Sequence, residues 1–179
     1  YPDLVSTLSG SGDFTVFAPD NLAFQGLLAT PGFPEDITSI NPDIIKGVLS
    51  YHVSTSRYEA ADLTAGSSVT TVQGEAITVN DDGTLFTGST TTNIIISEAD
   101  IKATNGVVHK VASVLIPPTV GATLTPILST NAGTLLLSAD FSYLATAIGI
   151  ADQFATDNQL KPLSAILADS VVHTVFAPS

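Results

Sequence analysis

The pentapeptide Thr-Val-Phe-Ala-Pro is written twice, at residues 15–19 and again at 174–178, an offset of 159 positions (174 minus 15). Phe14 precedes the first copy, and His173 stands in its place before the second. The same offset lays Leu4 on Leu163 and Leu8 on Leu167. A match in fixed register limits the fold more than composition does, because repeated sequence calls for a repeated supersecondary unit. Each copy reads as a short apolar helix, a polar turn and a strand ending in Ala-Pro. The helix expected from Asp140, before the second copy, has no counterpart upstream of Tyr1. The predicted organisation is a first domain over residues 1–118 without its opening helix, a connector over 119–139, and the opening of a second, incomplete repeat over 140–179. That last segment either packs on the same chain, swaps onto another chain, or begins a longer series. The chain has no methionine, which reads as a processed or trimmed piece whose signal or anchor lies elsewhere.

Periodicity divides the first copy in two. After the strand, Pro19-Asp20-Asn21 makes a turn, and Asp20 or Asn21 caps a short helix with Leu22, Phe24, Leu27 and Leu28 inward. Asn41-Pro42 opens a second helix, whose inner face is Ile44, Ile45, Val48 and Leu49, and which runs into Tyr51-His52. Beyond residue 67 the period falls to two, predicting strands near 68–72, 75–80, 84–87 and 93–98, with hairpin chemistry at Asn80-Asp81-Asp82-Gly83. After Asn105-Gly106 a strand alternates from Val107 to Ile116 and stops at Pro117-Pro118. Further on, Asp140 is expected to cap a helix with Phe141, Leu144, Ile148 and Ala151 on one stripe, followed by a short helix over 163–168.

Charge and composition remove several function classes. Five basic residues stand against seventeen acidic ones, a net of −12, so no basic stripe exists to displace counterions from a nucleic acid. The chain has no cysteine, which excludes disulfides, thiolate metal sites and thiol nucleophiles. It contains neither a Gly-x-Ser-x-Gly elbow nor a phosphate-cradling Gly-x-x-x-x-Gly-Lys loop. No catalytic residue, no metal and no cofactor is expected.

Three blocks in order carry a resemblance. "FTVFAPDNLAF" (residues 14–24), "YHV" (51–53) and "ISEADIKATNGVVHKVASVLIPP" (96–118) resemble the fasciclin-like adhesion domain. The resemblance implies an α+β, β-rich wedge or sandwich of mostly antiparallel strands with helices packed on one side. It also implies tandem repeats, an extracellular or cell-surface location, and adhesion rather than catalysis. In animal members an Asp-Ile pair and a Tyr-His pair are associated with integrin binding. Carried onto this chain they give Asp100, Ile101, Tyr51 and His52 as partner-binding candidates, with Ala99 and Lys102 departing from the family pattern. Phe14, Thr15, Val16, Phe17, Ala18 and Pro19, with Thr104, Asn105, Gly106 and His109, are the structural motif residues.

Each candidate also has a plain structural reading. His52 at a helix end reads as a packed histidine bonding backbone groups. His109, with Val107 and Val111 on its face, reads as half-buried, and Asn105-Gly106 as the turn that sets strand register. Asp81-Asp82 reads as a hairpin turn, since the regular ligand spacing of a calcium loop is absent. Glu98 and Asp100 either solvate a strand end, or Asp100 reaches a partner-bound cation while Ile101 fills a pocket. The expected function is a non-enzymatic adhesion module whose repeats add avidity. Its expected partners are a cell-surface or matrix protein or a glycan, with self-association through the C-terminal segment. The competing reading is a carbohydrate- or small-ligand-handling domain with carboxylates converging in a cleft.

Overall fold

The computed structural model describes residues 2–34, 36–88, 94–124, 128, 130–169 and 174–177. They fall into two units, Tyr1–Leu27 with Ile45–Gly121, and Leu28–Ile44 with Ala122–Ser179.

The first unit holds α1 (Pro2–Leu8), β1 (Phe14–Pro19), nearly all of α2 (Asn21–Leu28) and most of α3 (Pro42–Tyr51). The strands β2 (Val53–Ser54), β3 (Ser68–Thr70), β4 (Ala76–Val79), β5 (Leu85–Phe86), β6 (Ile96–Ala103) and β7 (Gly106–Val111) follow. They form a four-stranded sheet in the order β2-β1-β7-β6 and a three-stranded meander β3-β4-β5. All described ladders are antiparallel except β1 with β7, which run parallel. The α+β architecture with mostly antiparallel pairing is the one expected.

Side-chain alternation explains where the core sits. On β1, Thr15 and Phe17 are fully buried, and their in-register partners on β7, Val107 and His109, lie on the same face at 1% and 0% exposure. Phe17 stacks on the His109 ring with centroids 5.5 Å apart. Tyr51, Ile77, Leu85, Val111 and Leu115 complete this cluster, drawing α3, the meander and β7 onto one core. Each such side chain contributes about 2 kcal/mol of burial free energy.

Local signals account for most boundaries. The Asp20 carboxylate accepts the Ala23 N–H at 2.9 Å, which holds its pKa below the usual value and caps α2. Asn41 accepts the Asp43 N–H at 3.0 Å, ahead of Pro42 in the first turn of α3. At the β4–β5 turn Gly83 has φ of 78°, a conformation that strains any residue with a Cβ.

Two strands differ from their sequence pattern for physical reasons. β7 ends at Val111 rather than Ile116, because its partner there is Pro19, which offers no N–H to a further rung. β6 runs to Ala103, beyond the expected end at residue 98, through register shifts between Ile96 and Glu98 and between Glu98 and Ile101. A bulge breaks alternation, and with it the period that sequence reading depends on. Asn93, the expected start of this strand, lies outside the described residues.

The second unit is helical. Where a connector was expected over 119–139, α4 (Pro118–Leu124) leads from the first unit and α5 (Asn131–Leu137) buries Ala132, Leu135 and Leu137. Thr130 caps α5 by accepting the Gly133 N–H, and the Asn41 N–H donates to the Leu137 carbonyl at 2.6 Å. Asp140 does not cap a helix. It lies in a 3-10 turn (Ala139–Phe141) capped by Ser138, after which α6 (Ser142–Asp157) begins. Ile148 and Ala155 are the buried positions of α6, whereas Ala151, expected on the same stripe, is exposed. α6 packs against α5 and α7 (Leu163–Leu167).

The second Thr-Val-Phe-Ala is not a strand over its described residues, 174–177. Phe176 is 93% exposed, whereas Phe17, its counterpart, is fully buried. Phe17 owes its burial to ladders with β2 and β7, and no ladder among the described residues reaches the second copy. His173 and Pro178 lie outside the described residues.

Candidate functional site

Tyr51 and His52 close α3 and point inward, at 0% and 4% exposure. The Tyr51 hydroxyl donates to the Ala76 carbonyl at 2.8 Å, and burial, reinforced by the negative charge of Glu75, pushes its pKa up. His52 places Nδ1 2.7 Å from the Val48 carbonyl, while the Leu115 N–H donates to Nε2 at 2.9 Å. An acceptor on one side and a donor on the other fix one neutral tautomer, protonated on Nδ1. Burial lowers the His52 pKa to about 4, against the opposing pull of the Val48 carbonyl. The imidazole thus joins the helix end to the segment after β7. This is the packed-histidine arrangement, and it leaves neither side chain of the Tyr-His pair on the surface.

His109 is fully buried, not half-buried as its sequence position suggested. The Asp100 N–H donates to its Nδ1 at 3.3 Å, and Nε2 lies 2.7 Å from the Tyr58 carbonyl, fixing the opposite tautomer to His52. Two elements are held through this ring. One is the bulge of β6, where Asp100 adopts φ of 58°. The other is the strap of residues 56–62. Thr15 Oγ1 donates to the Ser56 carbonyl at 2.7 Å and accepts the Tyr58 N–H at 2.8 Å. Arg57, the one arginine of the sequence, bonds the Gly106 carbonyl and pairs with Glu59 at 2.9 Å. Sequence reading passed over this strap, and the lone arginine was the signal that marked it.

Asp100 and Ile101 sit on β6, an edge strand of the four-stranded sheet. The Asp100 carboxylate accepts the Ala60 N–H at 2.8 Å, tying the strap to the bulge, whereas Ile101 is 40% exposed. The two pairs carried over by resemblance are therefore on different ground, one in the core and one at an edge. One link between them runs through β1: the Phe17 N–H donates to the His52 carbonyl at 2.9 Å, and Phe17 stacks on His109. Replacing Asp100 by Ala is expected to cost about 1 kcal/mol, through the lost Ala60 bond and a left-handed backbone that Ala adopts poorly. Asp100→Asn keeps an acceptor and tolerates that conformation, so its urea midpoint should stay near that of the parent. Equal losses in both variants would contradict the bulge account.

Thr104 and Asn105 form the turn between β6 and β7. The Asn105 side-chain amide donates to the carbonyls of Leu8 and Gly10, at 2.8 and 2.9 Å, and so holds the end of α1 as well as the hairpin. Asn105→Ala should cost about 1 kcal/mol. Asn105→Asp should cost more, since a carboxylate has no proton to give and would face two carbonyl oxygens. Thermal melts of the two variants check the order, and the reverse order would refute the clamp.

One described recess bears on the ligand-handling reading. A recess of about 490 Å³ at the β4–β5 turn is lined by Asp81 and Asp82 with Gly66, Thr78 and Asn80, without an aromatic wall. The Asp82 carboxylate is already committed to the Thr84 hydroxyl and N–H, which lower its pKa. Among the described residues no group of three carboxylates or imidazoles is placed to hold a metal ion. No described helix is long and apolar enough to cross a membrane.

Comparison with known proteins bears on family and fold. A family model described as the fasciclin domain matches residues 2–117. Protein sll1483 of Synechocystis is 39% identical over 118 residues, covering 65% of this chain and 62% of that protein. The transforming growth factor-beta-induced protein ig-h3 of Sus scrofa is 36% identical over 115 residues, covering 64% of this chain but 16% of its own length. The chain thus spans less than two thirds of these curated relatives. Among solved structures, a FAS1 domain pair from the insect cell adhesion molecule fasciclin I matches 89% of this chain and 52% of its own. Its TM-score is 0.50 at 20% identity, a likeness of fold. With a family model covering most of the sequence and its signature blocks forming the core ladders of the first unit, the chain belongs to the fasciclin domain family.

Proposed function

We propose that the chain is a non-catalytic, extracellular adhesion module that meets its partner along the β6 edge, with Asp100 shaping the bulge and Ile101 making the contact. The observation that carries this reading is the placement of Ile101, 40% exposed on a strand whose outer backbone groups have no ladder among the described residues. An edge strand of this kind offers main-chain hydrogen bonds together with an apolar anchor. The partner is a cell-surface or matrix protein, or a glycan. Support comes from the solved relative, which is named as an insect cell adhesion molecule. Tyr51 and His52 serve this site indirectly, by holding Phe17 and hence His109 in place.

Residues 140–179 are read as the opening of a second repeat, so that natural copies act in series and weak contacts add by local concentration. The test is a screen of the immobilised chain against cell-surface proteins and glycans, in monovalent and multivalent display. Binding that strengthens at least tenfold on multivalent display is expected, and a chain that binds nothing in either format would overturn the reading.

A further inference from the structure

Asn105-Gly106 is the one Asn-Gly dipeptide of the sequence, and the fold draws on both residues. Gly106 has no room for a Cβ, which would run into the Phe14 backbone. The Asn105 amide donates to the carbonyls of Leu8 and Gly10, a task that needs a side-chain N–H. Its main-chain carbonyl accepts the Phe14 N–H at 3.0 Å. The turn therefore combines a side-chain amide with a following residue that has no side chain.

That combination is chemically labile. The backbone nitrogen after an asparagine attacks the side-chain carbonyl carbon, and glycine leaves its approach unhindered. Here the Gly106 nitrogen would bond to Asn105 Cγ and give its proton to hydroxide. The Cγ–Nδ2 bond breaks, and ammonia departs with a proton from water, restoring the hydroxide. Water then opens the cyclic imide at either carbonyl, leaving aspartate, or isoaspartate with the main chain rerouted through Cβ. Nothing is oxidised or reduced, and water is the only co-reactant.

We propose that Asn105 is a site of spontaneous deamidation, guarded by the closed fold, whose conversion releases α1. In the closed fold both reacting groups are engaged. Gly106 is a ladder partner of Phe14 and of Ala103, and the amide nitrogen holds its two carbonyls. Reaction proceeds from the fraction in which the end of α1 has lifted. A helix of seven residues does not hold itself in water, so that lifting is a local event. Aspartate at this position has no proton for Leu8 and Gly10. Isoaspartate inserts an atom into the main chain beside the carbonyl that Phe14 uses. Either product turns a reversible opening into a permanent one, whatever partner the β6 edge engages.

The test ages the full 179-residue chain at mildly alkaline pH, in buffer and in guanidinium chloride, and follows amide-to-acid conversion by peptide mass spectrometry. In denaturant Asn105 is expected to convert ahead of every other asparagine, because none of the others precedes glycine. In buffer its rate should fall by about tenfold or more, the closed clamp being the difference. Ser6→Pro, at an exposed position inside α1, should break that helix and raise the buffer rate by roughly fivefold or more. Converted chain, separated by its added negative charge, should melt roughly 5 °C below the parent. If circular dichroism shows Ser6→Pro to be unfolded, the denaturant comparison and the melt of the converted chain decide. Another asparagine converting first in denaturant, equal rates with and without denaturant, a folded Ser6→Pro with an unchanged rate, or a converted chain melting with the parent would each overturn the proposal.

Discussion

Replacing Gly106 by alanine is expected to unfold the first unit or lower its melting temperature by roughly 10 °C, a loss of about 3 kcal/mol or more. Gly106 is the ladder partner of Phe14, where β1 and β7 first meet. A Cβ at that position would stand 2.1 Å from the Phe14 carbonyl oxygen and 2.9 Å from its carbon. Both atoms are backbone within a paired strand, so relief requires the ladder itself to open. Since that ladder aligns Phe17 with His109, the core stack and the Asp100 bulge lose their register with it. Gly47→Ala is the contrasting substitution. That site lies inside α3 with nothing within 4 Å of an added Cβ, and alanine there should raise stability by about 0.5 to 1 kcal/mol. Calorimetry of the two variants checks the pair, and similar melting temperatures would contradict the steric account.

Acid is expected to destabilise the protein well before its ordinary carboxylates titrate, and His52 is the reason. Its pKa is about 4 in the fold and about 6.5 in an unfolded chain. Between those values the unfolded state binds the extra proton, so stability rises with pH and is lost as pH falls through the window. The loss approaches about 3 kcal/mol near pH 4. Below that, Asp20, Asp36 and Asp82, whose pKa values are lowered by bonds to Ala23, Thr38 and Thr84 respectively, add their own acid lability. His52→Leu should cost about 1 to 3 kcal/mol at neutral pH, because the Leu115 N–H is left buried without its acceptor. The same variant should flatten the slope between about pH 6.5 and pH 4, since leucine does not titrate. Urea midpoints for both proteins across this range decide the matter, and an unchanged slope in His52→Leu would place the acid sensitivity elsewhere.

The local chemistry of residues 20–83 was plain in the sequence because it is written in short-range signals. Asp20, Asn41-Pro42 and Asn80–Gly83 each act within four residues, and each does in the structure what its type dictates. β6 was read short because its bulge at Asp100 erases the two-residue period. The helices of residues 118–137 were missed because Thr, Ser, Gly and Pro, interspersed among the apolar residues there, blur the helical period. Their one strong cue, a Thr130 cap before a run of three leucines, is outweighed in any composition window. At the site, sequence and resemblance named residues without revealing their depth. Tyr51-His52 and Asp100-Ile101 are similar dipeptides on paper, yet one pair is buried and the other lies at a sheet edge. Nothing in a single sequence encodes that a strap at residues 56–62 is held by Thr15, His109 and Asp100, since those partners are 40 to 51 positions away.

The central claim is that the buried signature residues hold the fold while the β6 edge makes the contact. Attachment of cells or matrix protein to the immobilised chain, measured for the parent and for Ile101→Ser alongside their melting temperatures, tests it most directly. The account predicts at least a fivefold loss of attachment with melting unchanged to within about 1 °C, as befits a surface substitution. Attachment equal to that of the parent would contradict it.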